Sequence, residues 1–185
     1  VDQFNEAGGV KGCDVKYVLR DTQGQSTIGV DAAKSLVDIE GVQALIGAVS
    51  SGVSLPVLTS VSVPSKITQV SCCSSSESFT ALAKEGKTDG YWFRTYATNR
   101  SQAVMGALLT TNSGFKNTAV IYVNTDFGVG LAKRYAADIV KLGGSISSMV
   151  AYNESQQSYR AEVTTALQGD PDSLFLVAFP VDGST

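Results

Sequence analysis

The stretch "TAVIYVNTDFGVGLAKRYAADIVKL", residues 118–142, begins with the pattern of a strand and ends with the pattern of a helix. Its first part, 118–123, is rich in β-branched and aromatic residues, which is typical of a buried strand. From 128 onward the apolar side chains recur at helical spacing, at Leu131, Tyr135, Ile139 and Leu142. The segment 128–142 is therefore predicted to be an amphipathic helix that covers one face of a sheet. A strand that leads into such a helix is half of a parallel β-α-β unit.

The same alternation runs through the rest of the chain. Six further runs fit the strand pattern: "DVKYVL" at 14–19, "VQALIGA" at 42–48, "SKITQVS" at 65–71, "YWFRTY" at 91–96, "SISSMVAY" at 145–152 and "DSLFLVAF" at 172–179. A second amphipathic helix is predicted at 27–39. These elements predict an α/β fold with doubly wound parallel sheets and right-handed crossovers. The run "YATNR" at 96–100 marks the passage between two lobes, residues 1–95 and 96–185.

Composition excludes several classes of protein. The 185 residues are 43% hydrophobic and 17% charged, which is typical of a globular chain with a core. The net charge of −3 leaves no basic stripe, so we expect no nucleic-acid partner. No apolar run approaches the roughly 20 residues that a membrane-spanning helix needs.

The residues needed for common catalytic and metal sites are missing or scattered. The chain has no histidine, which excludes Ser-His-Asp, Cys-His and H-E-x-x-H arrangements within it. The cysteines, Cys13, Cys72 and Cys73, are odd in number and lack C-x-x-C spacing, so we expect small, partly buried free thiols, no disulfide and no metal site. Binding is favoured over catalysis, and no cofactor is expected.

Ligands of doubly wound sheets bind beyond the carboxyl ends of the strands, so residues just after each strand are informative. Ser50 and Ser51 stand at a predicted helix start, where free N–H groups favour an anion, although they could simply cap the helix. Serines 74–76 can cap a helix that begins near Glu77, and carbonyls of the preceding turn suit an ammonium. Phe127 is either a helix staple or a pocket wall.

A nucleotide-using α/β enzyme is one alternative. The run "GVGLAK" at 128–133 supplies the first two glycines of G-x-G-x-x-G, and Glu154 stands where a ribose-binding acid would be wanted. However, Lys133 occupies the position of the third glycine, and 124–127 separate the strand from the first glycine. The nucleotide motif is therefore incomplete.

Several motifs in order resemble one family. They are "VDQFNEAGGVKGCDVKYVLRDTQGQ" at 1–25, "AAKSLVDIEGVQALIGAVSSGVSLPV" at 32–57, "YWFRTYATNRSQA" at 91–103 and "AVIYVNTDFGVGLAK" at 119–133. Together they resemble the substrate-binding proteins of branched-chain amino-acid ABC transporters, the leucine/isoleucine/valine-binding type with the type I periplasmic binding fold. Members of this family carry aliphatic amino acids, aromatic acids, amides and urea.

The resemblance implies a set of ligand-binding residues. Ser51 matches a serine whose hydroxyl and backbone N–H hold a ligand carboxylate. Cys73, Ser74 and Ser75 match a small-residue loop of the first lobe, in which the Cys73 backbone and the Ser75 hydroxyl would face the ligand. Phe127 matches an aromatic residue that closes over the ligand from the second lobe, and Phe179 is expected near another.

The resemblance also implies a function. It predicts an extracytoplasmic, periplasmic solute receptor. Its expected ligand is a small molecule with a carboxylate, most often an amino acid, bound between two lobes. The receptor would deliver this ligand to the membrane subunits of an ABC permease. Family members begin with a strand before residue 1 and continue past residue 185, so we expect a fragment whose acid for the ligand ammonium lies elsewhere. A sensory ligand-binding domain of the same fold remains an alternative.

Overall fold

The computed structural model describes all 185 residues and contains two parallel sheets of three strands each. The first sheet has the order β1-β2-β3 and the second the order β5-β4-β6. The strands are β1 (Ala44–Ile46), β2 (Thr68–Ser71), β3 (Trp92–Arg94), β4 (Asn117–Val123), β5 (Ser145–Tyr152) and β6 (Ser173–Val177). Every neighbouring pair is parallel, as the alternation of strands and helices predicts.

The helices connect and flank these strands. They are α1 (Asp2–Glu6), α2 (Ser26–Asp38), α3 (Ser51–Val57), α4 (Ser78–Lys84), α5 (Asn99–Asn112), α6 (Asp126–Lys141), α7 (Arg160–Leu167) and α8 (Pro180–Gly183). A π-helical turn, Leu58–Ser62, continues α3. The predicted helices at 27–39 and 128–142 are confirmed as α2 and α6. No helix combines the length and the apolar composition that crossing a bilayer requires.

Six of the seven predicted strands are confirmed, and the strand predicted at 14–19 is wrong. That segment has no regular secondary structure. Two hydrogen bonds join Val15 to the side chain of Asn5, and no strand pairs with the segment. Leu19 is 77% exposed. A β-branched composition is insufficient here because a strand also needs a neighbour that completes its backbone hydrogen bonds.

The second sheet carries helices on both faces. Tyr135 of α6 stacks on Phe175 of β6 with ring centroids 3.7 Å apart, and α5 adds Ala103 and Ala107 to the same core. On the opposite face, Ala166 of α7 packs against side chains of β4 and β5. This lobe matches the predicted doubly wound arrangement.

The first sheet is covered on the face that contains Leu45, Gln69 and Trp92, which lie side by side in the strand register. Phe79 of α4 stacks on Trp92 at 4.0 Å, while helices α2 and α3 pack near Leu45. On the other face Ile46 is 90% exposed. Helices of this chain therefore shield one face of the first sheet.

The predicted lobe boundary at 95/96 falls in the connection between β3 and α5, and it stays a prediction. Asn99, the first residue of α5, bonds to both lobes. Its backbone N–H donates to Ser75 O at 2.8 Å, and its side-chain Nδ2 donates to Phe127 O at 3.1 Å. The loops beyond β2 and β4 are thus held together through one buried residue.

Gly128 sets how closely α6 follows β4. A Cβ built on Gly128 would lie 2.0 Å from the carbonyl oxygen of Val123, which leaves no room for a side chain. Gly128 and Gly130 both lie inside α6. The glycines that suggested a nucleotide loop therefore serve packing: Gly128 against β4, and Gly130 against Asn99, whose Nδ2 lies 2.8 Å from a built Cβ.

We predict that Gly128→Ala lowers the free energy of unfolding by about 1–3 kcal/mol, because the added methyl group overpacks the β4–α6 junction. Circular dichroism during urea unfolding measures this change. Gly52→Ala is the matched control, since a Cβ at Gly52 makes an ordinary 3.5 Å contact with Thr125. Equal stability of the two variants would show that α6 shifts freely against β4.

Candidate functional site

A cavity of about 500 Å³ lies between the two lobes, within the size range of small-molecule sites. Its walls come from the carboxyl ends of strands and from helix starts, where ligands of such sheets bind. The lining residues are Gly24, Ser26, Ser50 and Gly52 of the first lobe and Asn124, Thr125, Asp126, Val129 and Glu154 of the second. We refer to this cavity as the cleft.

The first-lobe wall contains the start of α3. Ser50 is the N-cap residue, and its carbonyl accepts from Val53 and Ser54 N–H. The N–H groups of Ser51 and Gly52 precede the first helical bonds and have no acceptor in the chain. Such free donors at a helix start attract an anion. The predicted helix start at Ser50 and Ser51 is confirmed.

A buried network of hydroxyl groups supports this wall. The carbonyl oxygen of Ala48, just after β1, accepts from Ser54 Oγ at 2.9 Å and from Ser71 Oγ at 2.7 Å. Ser74 Oγ lies 2.8 Å from Ser54 Oγ. Gln69 Nε2 donates to Gly47 O at 2.9 Å. Because these groups are paired inside the core, α3 and the loop after β2 keep a fixed relative position.

Residues outside the loop at 72–76 also hold it in place. Arg94 donates to Ser74 O at 3.2 Å, to Ser76 O at 2.8 Å and to Thr80 Oγ1 at 2.6 Å. Ser75 O accepts from the Asn99 N–H, as described above. The carbonyls of Ser74, Ser75 and Ser76 therefore each accept a hydrogen bond within the chain, whereas those of Cys72 and Cys73 accept none.

None of the three serines that were predicted to cap α4 is its N-cap residue, which is Glu77, and Ser76 alone contacts the first turn. Its hydroxyl accepts from the N–H of Ser78 at 3.2 Å. Ser74 is used in the hydroxyl network, and Ser75 makes no cap bond. The N–H of Ser76 itself donates to Ser51 Oγ at 3.2 Å, which joins the loop to the start of α3.

The structure separates the predicted first-lobe residues by exposure. Ser51, Ser74 and Ser75 are buried, with Ser51 only 1% exposed, whereas Cys73 is exposed. None of them lines the cleft, although the two neighbours of Ser51, Ser50 and Gly52, do. Their roles toward a ligand stay predictions.

Phe127 and Phe179, the predicted second-lobe aromatics, contact each other with ring centroids 5.7 Å apart. Phe127 lies in the first turn of α6 and packs against the cores on both faces of the second sheet. Neither ring lines the cleft. Phe127 is the second helical residue, after the N-cap Thr125, so it packs in the core rather than as a helix staple. Closure over a ligand stays a prediction for both residues.

Two carboxylates line the second-lobe wall. The sequence suggested Glu154 only for the ribose of a nucleotide, and the acid for a ligand ammonium was expected outside residues 1–185. Asp126 lies in the first turn of α6, and partial burial raises the pKa of its carboxyl group. Glu154 follows β5, and the pKa of Glu154 is raised by partial burial and by the charge of Asp182. The sequence feature that could have identified them is their position, because both residues follow shortly after strands, at the edge of the sheet where ligands bind.

Tyr152 lies just before Glu154 at the end of β5 and is buried. Burial and the charge of Asp182 raise the pKa of Tyr152 to about 12, so its phenol stays neutral. Asp182 also accepts from Tyr159 Oη at 2.9 Å. This end of the second sheet is therefore rich in oxygen acceptors, and no Lys or Arg lines the cleft.

Comparison with known proteins agrees with this geometry. The family model described as "Periplasmic binding protein" matches residues 1–185. This chain belongs to the periplasmic binding protein family. The resemblance to the leucine/isoleucine/valine-binding type is confirmed by a relative named Leu/Ile/Val-binding protein homolog 3 from Brucella melitensis biotype 1, 28% identical over 99% of this chain and 48% of that protein.

A second relative of this periplasmic binding protein is the chemotactic signal transduction system substrate-binding protein BasB of Halobacterium salinarum. It is 27% identical over 100% of this chain and 44% of its own length. This chain therefore spans about half the length of the curated relatives it matches.

Solved structures confirm the type I periplasmic binding fold. A leucine-binding protein LivK from Thermotoga maritima superposes with a TM-score of 0.85 at 25% identity, covering 97% of this chain and 49% of that one. A substrate-binding protein of Desulfitobacterium hafniense in complex with Leu has a TM-score of 0.70 at 22% identity, covering 99% of this chain and 53% of that one.

We predict that Arg94→Ala lowers the free energy of unfolding by about 1.5–3 kcal/mol, because it removes charge-assisted hydrogen bonds to the 72–76 loop. Trp92 fluorescence during urea unfolding reports the change, since Trp92 stacks on Phe79 beside Arg94. Arg20→Ala is the control: its ion pair with Glu40 is exposed and contributes about 1 kcal/mol or less. Similar losses for both variants would contradict the clamping role of Arg94.

We predict that Glu154→Gln raises the melting temperature at pH 7. The pKa of Glu154 is higher in the folded chain than its ordinary value of 4.5, so ionisation destabilises the fold as pH rises. Below the ordinary value both states are protonated, and the gain should vanish near pH 3. Calorimetry across this range, with exposed Glu6→Gln as control, measures the effect. A lower melting temperature at pH 7 would contradict it.

Proposed function

We propose that this protein is an extracytoplasmic solute receptor that binds an amino acid in the cleft. The observation that supports this proposal is that two kinds of polar group face each other across the cleft. Free N–H donors of α3 suit a carboxylate, while Asp126 and Glu154 suit an ammonium. An amino acid presents both charges at a short separation. The relatives named for leucine or for Leu/Ile/Val binding support this ligand class.

In this proposal the first lobe holds the ligand carboxylate. The Ser51 hydroxyl accepts from Ser76 N–H, which leaves its own proton available to a ligand oxygen. Ser75 and the backbone of Cys73 complete the loop, and Ser74 positions it through the hydroxyl network. Phe127 and Phe179 lie outside the cleft lining in this structure, and in this proposal they contact the ligand from the second lobe only after closure.

Ligand contacts are then divided between two lobes, and only a ligand with more contacts in the closed form favours closure. The lobes already approach each other at the cleft rim, where Gly52 meets Thr125. We propose that the permease of an ABC transporter recognises the closed form and receives the ligand from it.

A sensory receptor is the second candidate. It is favoured by the relative BasB, whose name places it in a chemotactic signal transduction system. Deletion of the gene distinguishes the transport function from the sensory function. Loss of uptake of labelled ligand supports the transport function, whereas loss of the tactic response with uptake intact supports the sensory function.

The ligand proposal predicts a specific pattern in titration calorimetry. Asp126→Asn or Glu154→Gln should weaken binding of leucine roughly tenfold to a hundredfold, the effect of losing one charge-assisted hydrogen bond of about 1.5–3 kcal/mol. Neither change should weaken binding of 4-methylpentanoate, which is leucine without its amino group.

Glu6→Gln is the control for a loss of negative charge elsewhere. A preference for aromatic acids over every amino acid tested, or equal losses for leucine and 4-methylpentanoate, would overturn the assignment of the carboxylates. Absence of binding for all of these acids would overturn the ligand class.

A further inference from the structure

Two adjacent thiols occupy the tip of the loop after β2. Cys72 and Cys73 are both exposed, and their sulfur atoms lie 2.9 Å apart. The proposed ligand contact uses only the backbone of Cys73. The two side chains therefore have no role in the proposed function. Both thiols are exposed, so the expectation of partly buried thiols is wrong.

Hydrogen bonds hold the backbone that carries these two thiols. Ser71 Oγ accepts from the N–H of Cys73 at 3.3 Å and from the N–H of Ser74 at 3.0 Å. Ser71 Oγ in turn donates to the buried carbonyl of Ala48. These hydrogen bonds hold the backbone of the pair against the end of β1, and the adjacency of the two residues in sequence keeps their sulfurs close. A disulfide needs them about 2.05 Å apart, a small further approach.

We infer that Cys72 and Cys73 form a reversible oxidation site that closes to a vicinal disulfide by exchange with a small-molecule disulfide. One thiolate attacks the external disulfide, which forms a mixed disulfide and releases one small thiol. The second thiolate then attacks the protein sulfur of the mixed disulfide and releases the other small thiol. The protein loses two hydrogens, and the external disulfide is reduced to two thiols.

Closure changes the binding loop. The new ring contains the peptide bond between the two cysteines, so that peptide must rotate and the Cys73 N–H leaves Ser71 Oγ. A strained, exposed disulfide of this kind is readily reduced, which makes the change reversible. The clamp at Ser74 and Ser76 by Arg94 confines the change to 71–74.

The test uses the reduced protein and glutathione disulfide near pH 9, because the hydrogen bond with Cys72 raises the pKa of the Cys73 thiol above its ordinary value of 9.0. Intact mass spectrometry after alkylation should show a species in which the loop pair has lost two hydrogens and carries no alkyl group, while exposed Cys13 carries either one glutathione or one alkyl group. Dithiothreitol should restore three alkylated thiols. Cys13→Ser should still close, whereas Cys72→Ser and Cys73→Ser should accumulate a glutathione adduct on the remaining loop thiol.

Two outcomes overturn the inference. Stable glutathione adducts on both loop cysteines of the unsubstituted protein would show that the pair does not close. Loss of the closed species in Cys13→Ser would show that Cys13 is the real partner.

Amide chemical shifts provide the second readout. Closure should move the shifts of 71–74 and leave those of α4 in place, and unchanged loop shifts in the closed species would overturn the effect on the binding loop. Neither measurement involves the ligand, so both are independent of the proposed function.

Discussion

The carbonyl oxygen of Ala48 is the point on which the first-lobe wall of the cleft depends. It accepts hydroxyl protons from Ser54 on α3 and Ser71 at the end of β2, and Ser74 joins the same group. One buried acceptor thus connects the end of β1, the start of a helix and a loop. An unpaired carbonyl here would carry a desolvation cost of about 1–3 kcal/mol, so the serines are needed for folding as well as for shape.

The second-lobe wall differs, because the negative charges of its carboxylates lower the stability of the fold. Asp126 and Glu154 are partly shielded from water, and no cation of the chain pairs with them at the cleft. Their raised pKa values reflect this shielding. Groups whose ionisation opposes folding are often retained at functional sites. In the proposed function, the ammonium of the ligand supplies the missing positive charge.

Between these walls, Asn99 is the residue through which the two lobes are coupled. It donates from its backbone to the first-lobe loop and from its side chain to the start of α6. Gly130 makes room for the Asn99 amide, since a Cβ there would lie 2.8 Å from Nδ2. The sequence assigned Gly130 to a possible nucleotide motif, because glycine spacing alone does not distinguish a phosphate loop from close packing inside a helix.

The sequence by itself determined six strands, the two amphipathic helices α2 and α6, the parallel sheets, the helix start at Ser50 and the family, because hydrophobic periodicity and local motifs are properties of neighbouring residues. Only the tertiary structure decided which side chains share the cleft. Asp126 and Glu154 come after different strands, and a linear pattern does not show that their loops meet. The same limit explains segment 14–19, whose strand composition lacks a pairing partner in space. Pairing and convergence depend on contacts distant in sequence, which composition and spacing do not encode.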